Sequence, residues 1–184
     1  MRAERLAEKY AVEFDAWAYD LRPGIPPEGL PREEASKGRT YPPGYVDNMI
    51  ATARDAGIDM KRPPLIPNTR KAHEATEYAK EHGKLLDFHR AVFKAYFEDE
   101  ENIGDTEVLA RIARDAGLDE AGLREALADG RYDAAVAEQM EWARQAGITG
   151  VPTTIVNDRF AIVGAQDYEL YRDVARRTLQ RAEG

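Results

Sequence analysis

The sequence has no cysteine in its 184 residues. That excludes disulfides, thiolate nucleophiles and thiolate metal sites from these residues. Serine is almost as scarce: Ser36 is the one example, in a loop with Glu, Lys and Gly, and it makes a poor nucleophile candidate. No apolar run approaches the roughly 20 residues that a membrane span needs. The opening ten residues are highly charged and helical in pattern, unlike a secretory leader. From these absences we expect a soluble, cytoplasmic protein.

What is present narrows the class further. A third of the residues are charged and the net charge is −8, which argues against nucleic acid or an anionic membrane as partner. Hydrophobic residues make up 43%, enough for one sizeable core or a small core with an inserted subdomain.

Proline divides the chain. Nine of the ten prolines lie at or before Pro67, and Pro152 stands alone downstream. The early part is therefore expected to hold loops and short elements, leaving the middle free to be helical. Residues 11–19 alternate, with Val12, Phe14, Ala16 and Ala18 on one side, which predicts a strand. A Pro-rich loop and a short helix ending near Gly57 follow. Three or four helices are expected between Thr69 and Ala146, one of them packed through Leu85, Phe88, Val92 and Tyr96, with Leu86, Phe93 and Phe97 widening its stripe. Asp105 and Asp119 are candidate N-caps, and Gly117, Gly130 and Gly147 candidate helix-terminating glycines.

A short pattern recurs at Ala53-Arg-Asp-Ala-Gly-Ile, Ala113-Arg-Asp-Ala-Gly-Leu and Ala143-Arg-Gln-Ala-Gly-Ile. We read it as a repeated way of ending a helix rather than as a repeated domain. The tail returns to β character. Thr153–Val156 and Phe160–Val163 flank Asn157, Asp158 and Arg159, a hairpin signal, and a last helix follows from about Tyr168.

The turn from Gly147 to Thr154 ends a helix and opens a strand through Val151–Pro152. On the residues alone this proline is either cis, exposing the Val151 backbone to an extended ligand, or a trans residue that merely starts a strand. Several segments in order carry a resemblance: the aromatic stretch ending in Leu21-Arg-Pro, Pro67-Asn-Thr-Arg-Lys-Ala-His73, and Phe93-Lys-Ala-Tyr-Phe-Glu-Asp99 leading to Asn102-Ile-Gly-Asp105. The Gly-Val-Pro-Thr turn, the hairpin and Gly164-Ala-Gln166 complete the set. From about residue 4 onward the chain resembles the FrnE branch of the DsbA-like thioredoxin-fold family, a superfamily that includes kappa-class glutathione transferases and 2-hydroxychromene-2-carboxylate isomerases.

The resemblance implies an α/β thioredoxin-like domain from 1–30 plus 140–184, interrupted by an all-helical lid over 31–139. It also implies a first β-strand and a Cys-x-x-Cys turn ahead of a helix that here would occupy 2–10. Neither precedes that helix in this sequence, so the expectation is a fold without its first strand, redox-inactive as it stands. The family activity is thiol–disulfide exchange. The alternative is a glutathione- or peptide-binding or assembly module. By the same resemblance, Val151, Pro152, Thr153, Gln166 and Asp167 form the ligand side of the site, with Asn68 and His73 orienting the lid. For Asp167 the favoured reading is the N-cap or first-turn acid of the last helix. Expected partners are a peptide or thiol, with glutathione possible and no other cofactor. Without the central strand, the edges of 11–19 and 153–156 must be closed by pairing with each other or by a strand from another chain, which predicts a homo-oligomer.

Other constellations read as structural. His73, His82 and His89 lack metal-ligand spacing, and the acidic run Glu98 to Glu101 lacks the alternating ligands of a calcium loop. Tyr41, Tyr45 and Trp17 are candidates to line a groove, although isolated aromatics near proline-rich loops usually pack.

Overall fold

The computed structural model describes residue 6 and residues 9–10, 12–38, 40–55 and 57–182, with side chains as far as 179. The helix expected over 2–10 lies largely outside the described residues. The chain is α/β and divides into two compact units, Arg22–Glu138, and Met1–Leu21 together with Gln139–Gly184.

The first unit contains β1 (Leu30–Pro31), α1 (Arg32–Ala35), α2 (Tyr45–Asp55), β2 (Leu65–Ile66), α3 (Arg70–Glu81), α4 (Leu85–Phe97), α5 (Thr106–Asp115) and α6 (Glu120–Ala128). Its core is built by α3 to α6. Phe88, Leu109 and Leu123 are fully buried, with Ala75, Ala79, Ala113 and Ala126 letting the helices approach closely. Phe88 and Val92 are buried as the helical spacing requires, but Phe93, expected in the same stripe, is 51% exposed. It sits about 100° round the helix from Val92, and its ring lies against His89 and Phe97 instead. The two-residue antiparallel pairing of β1 with β2, Leu30 opposite Ile66, was not foreseen, because Pro31 and the surrounding prolines signal only loop.

Five helices, not three or four, lie between 69 and 146, the fifth being α7 (Asp133–Gln145). The breaks are short enough to escape a periodicity reading. Asp105 and Asp119 cap α5 and α6 by accepting from the Glu107 and Ala121 amides at 2.7 and 3.0 Å. The recurring hexapeptide is one device used three times. The N–H groups of Ile58, Leu118 and Ile148 reach back to the carbonyls of Ala53, Ala113 and Ala143 at 2.9, 2.9 and 3.0 Å. The intervening glycines donate to Arg54, Arg114 and Arg144, which completes a Schellman closure around a left-handed glycine each time.

The second unit holds the later part of α7, then β3 (Thr153–Val156), β4 (Phe160–Val163) and α8 (Tyr168–Ala182). β3 and β4 form an antiparallel hairpin, Thr153 opposite Val163 and Val156 opposite Phe160. Asn157 and Asp158 both have positive φ, and Arg159 donates to the Val156 carbonyl at 3.2 Å, as in a type I′ turn. One face of the hairpin is buried at Ile162, while Tyr171 and Ala175 of α8 are buried in the same unit.

The predicted strand at 11–19 is not one. Residues 12–20 form no ladder, and they do not pair with β3. The alternation survives as burial: Glu13, Asp15 and Trp17 face out, while Val12, Phe14 and Ala16 are partly covered and Ala18 is buried. No strand among the described residues lies alongside to supply main-chain partners. Side chains act instead, with Gln139 Oε1 accepting from the Ala18 N–H at 2.8 Å. The periodicity reported which side chains turn inward, not whether a ladder forms.

Candidate functional site

The loop after α7 is short and tied at several points. Ile148 closes the helix end, and its carbonyl accepts from the Tyr19 hydroxyl at 3.3 Å. Thr153 Oγ1 donates to the Gly150 carbonyl at 2.8 Å, pulling the loop back on the strand it opens. Between these ties the Val151–Pro152 peptide bond is cis. Val151 is 51% exposed, and among the described residues neither its N–H nor its C=O makes a hydrogen bond. A main-chain donor and acceptor are thus presented together at the surface, the pair an extended polypeptide needs.

The residues beyond β4 close over the same turn. Gly164 N–H donates to the Pro152 carbonyl at 2.8 Å, which joins the two expected halves of the site. Gln166 stays exposed but turns back on the chain: its side-chain amide donates to the Val163 carbonyl at 2.9 Å and its N–H to the Gly164 carbonyl at 3.0 Å. The Tyr171 hydroxyl also donates to the Gly164 carbonyl, at 3.3 Å. Asp167 stands immediately before α8, where its backbone carbonyl accepts from the Leu170 N–H at 3.1 Å. Among the described residues its carboxylate has no hydrogen-bond partner, so it meets the start of α8 as a charge. Val151, Pro152, Thr153, Gln166 and Asp167 are therefore brought together, with Thr153 and Gln166 serving as internal braces.

Asn68 and His73 belong to the unit Arg22–Glu138. The Asn68 amide donates to the Ile25 carbonyl at 2.7 Å while its oxygen accepts from the Arg70 N–H at 2.9 Å, which fastens the Pro-rich loop to the start of α3. Gly104 is needed beside it, since a Cβ there would stand 2.8 Å from the Asn68 carbonyl oxygen. His73 lies partly buried in the first turn of α3. His82 Nδ1 is 2.8 Å from the Tyr78 carbonyl, at the end of the same helix. Among the described residues no three His, Asp or Glu side chains converge. Two acids of the run Glu98 to Glu101 are ion-paired, Asp99 with Lys94 at 2.6 Å and Glu101 with Arg111. Tyr41 and Tyr45 stack on each other at 5.2 Å. Ser36 terminates the single turn of α1.

Two features escaped the sequence reading. One is Glu74, a buried acid at i+4 from Arg70, whose carboxyl burial pushes above its ordinary range while Arg70 partly restrains it. Arg70 itself reaches Asp133 at 2.5 Å. The Arg70–Glu74 spacing was visible, but nothing signalled its burial. The other is the contact of Trp17 with Trp142, which 124 intervening residues hide from any local pattern.

A helix, a cis-proline turn, a hairpin and a closing helix, with a largely helical unit inserted ahead of them, define a thioredoxin-like α/β protein. Comparison with known proteins makes the class specific. The model of the DsbA-like thioredoxin domain matches residues 1–175. The chain is 30% identical over 163 residues to YwbO, an uncharacterized protein of Bacillus subtilis (strain 168), covering 87% of this chain and 79% of that one. A probable DsbA oxidoreductase from Streptomyces coelicolor superimposes with a TM-score of 0.81 at 26% identity, over 97% of this chain and 82% of the other. A 2-hydroxychromene-2-carboxylate isomerase shares the fold, with a TM-score of 0.70 at 19% identity over 99% and 89% of the two chains. The chain belongs to the DsbA-like thioredoxin family.

Proposed function

We propose that these residues bind an extended peptide or thiol-bearing segment by main-chain pairing at Val151, without themselves carrying out thiol–disulfide exchange. The observation that supports this reading is the exposed Val151 peptide group with neither hydrogen-bonding atom used. Exchange requires a thiolate to attack sulfur and form a mixed disulfide, and no residue here supplies one. Thr153, Gln166 and Tyr171 hold the turn in place, and Asp167 adds a negative charge beside it. In reduction of insulin by dithiothreitol, the chain is expected to give only the background rate; turnover above background contradicts the reading.

A second reading has glutathione as the ligand, its γ-glutamyl-cysteinyl backbone pairing at Val151. What favours it is the resemblance of the sequence to a superfamily that includes kappa-class glutathione transferases. Calorimetry with reduced glutathione separates the two: binding in the micromolar range supports this reading, and none leaves the peptide.

We further infer that the chain associates with a second copy through the outer edge of β3. The pairing of Pro152 with Gly164 turns the N–H and C=O groups of Thr153 and Ile155 away from β4. Ile155, Ala161 and Val163 make the exposed hairpin face apolar, and a bare two-stranded hairpin is marginal in water.

A further inference from the structure

The only two tryptophans in the sequence, Trp17 and Trp142, meet edge to face with ring centroids 4.9 Å apart and planes at 66°. Both remain open to solvent, at 52% and 39% exposure. The pair is fixed by the backbone around it. Ala18, next to Trp17, is held by Gln139 on α7, three residues before Trp142, and Tyr19 is tied to Ile148 at the end of that helix. Rigid aromatics of this kind make contact area at little cost in conformational entropy.

Charge around the pair indicates what it would accept. Trp17 Nε1 donates to Asp15 Oδ2 at 2.6 Å, so that carboxylate sits at the ring edge rather than over a face. Glu13, Asp15 and Trp17 lie together on the outward side of their segment. Glu141, adjacent to Trp142, is engaged by Arg144 and Gln145 on its own helix. Exposed indoles beside the outward-facing Glu13 suit a guanidinium or ammonium group, which gains cation–π attraction next to a charge of opposite sign. A purely aliphatic side chain would gain only the ring area.

The corner is also close to Val151 along the chain. The Ile148 N–H is bonded to the carbonyl of Ala143, the residue after Trp142, and Val151 lies three residues on, about 10 Å of extended backbone at most. We propose that the Trp17–Trp142 corner is a second contact for the polypeptide seated on Val151, selecting segments with an arginine or lysine about three to five residues from the point of backbone pairing. The proposal rests on the reading of Val151 as a peptide-pairing edge.

The test uses unstructured peptides of about nine residues carrying arginine on both flanks, citrulline in the same places, or arginine with a central N-methylated backbone. Fluorescence excited beyond the tyrosine absorption reports on the corner alone, because the sequence has nine tyrosines but no other tryptophan. The arginine peptide should perturb that fluorescence and, by calorimetry, bind about threefold or more tightly than the citrulline peptide. The preference should vanish in Trp142→Ala and persist in part in Trp142→Phe, with unchanged circular dichroism showing that both variants fold. Equal binding of arginine and citrulline peptides overturns the corner and leaves the Val151 reading standing. If the N-methylated peptide binds as well as its parent, or no peptide binds, the Val151 reading fails and the proposal fails with it.

Discussion

At the scale of single residues, burial and hydrogen bonding assign different work to side chains that look alike in sequence. Gln166 and Thr153 stand where a ligand contact was expected, yet each spends a side-chain donor on a nearby carbonyl. Their effect on binding is therefore indirect. Thr153→Val should keep the fold but loosen the turn, weakening peptide binding several-fold, as calorimetry would show. Glu74 offers a sharper test. Its carboxyl titrates higher in the folded chain than its ordinary 4.5, because burial outweighs Arg70, while Asp133 pushes in the same direction as burial and Lys71 opposes it. A raised carboxyl means that the folded state binds the extra proton, so this group's contribution falls as pH rises from about 4.5 through the folded value. Melting temperatures measured from pH 4.5 to 7 should show this decline in the native chain and a flatter profile in Glu74→Gln. Core positions follow simpler rules. Leu123 is fully buried among the helices of its unit, and Leu123→Ala should cost about 2–5 kcal/mol by urea denaturation.

At the scale of elements, what the sequence made legible was local chemistry. The Asp105 and Asp119 caps, the Asn157–Asp158 turn and the three Ala-Gly-apolar helix endings were all readable, because each is decided within about six residues. Elements that depend on a distant partner were not. The alternation at 12–20 gave the inward and outward faces correctly, but a ladder needs a neighbouring strand, which no local pattern reports. The pairing of Leu30 with Ile66 and the contact of Trp17 with Trp142 were hidden for the same reason. The helix endings can be tested directly. At Gly117 a Cβ would touch only the end of the Lys84 side chain, 3.8 Å away at the nearest, so the cost of Gly117→Ala is conformational. It should be roughly 1–2 kcal/mol by urea denaturation, with Gly117→Asn losing less.

At the scale of the whole molecule, membership of the DsbA-like thioredoxin family was legible from motifs spread along most of the chain, and the fold agrees. The candidate site was legible as a position, the Val-Pro turn, but not in its working parts, because whether Val151 keeps its backbone atoms unused depends on every neighbour at once. Association through β3 predicts a dimer mass by light scattering, reduced to monomer by Ile155→Lys, which puts charge on the apolar face at that edge. The account stands or falls on the Val151 peptide group itself. Amide exchange at Val151, followed by NMR with and without an extended thiol-bearing peptide, tests it most directly. The account predicts a fast-exchanging amide in the free chain that becomes protected and shifted on binding; a peptide that binds while the Val151 amide stays unprotected and unshifted would contradict it.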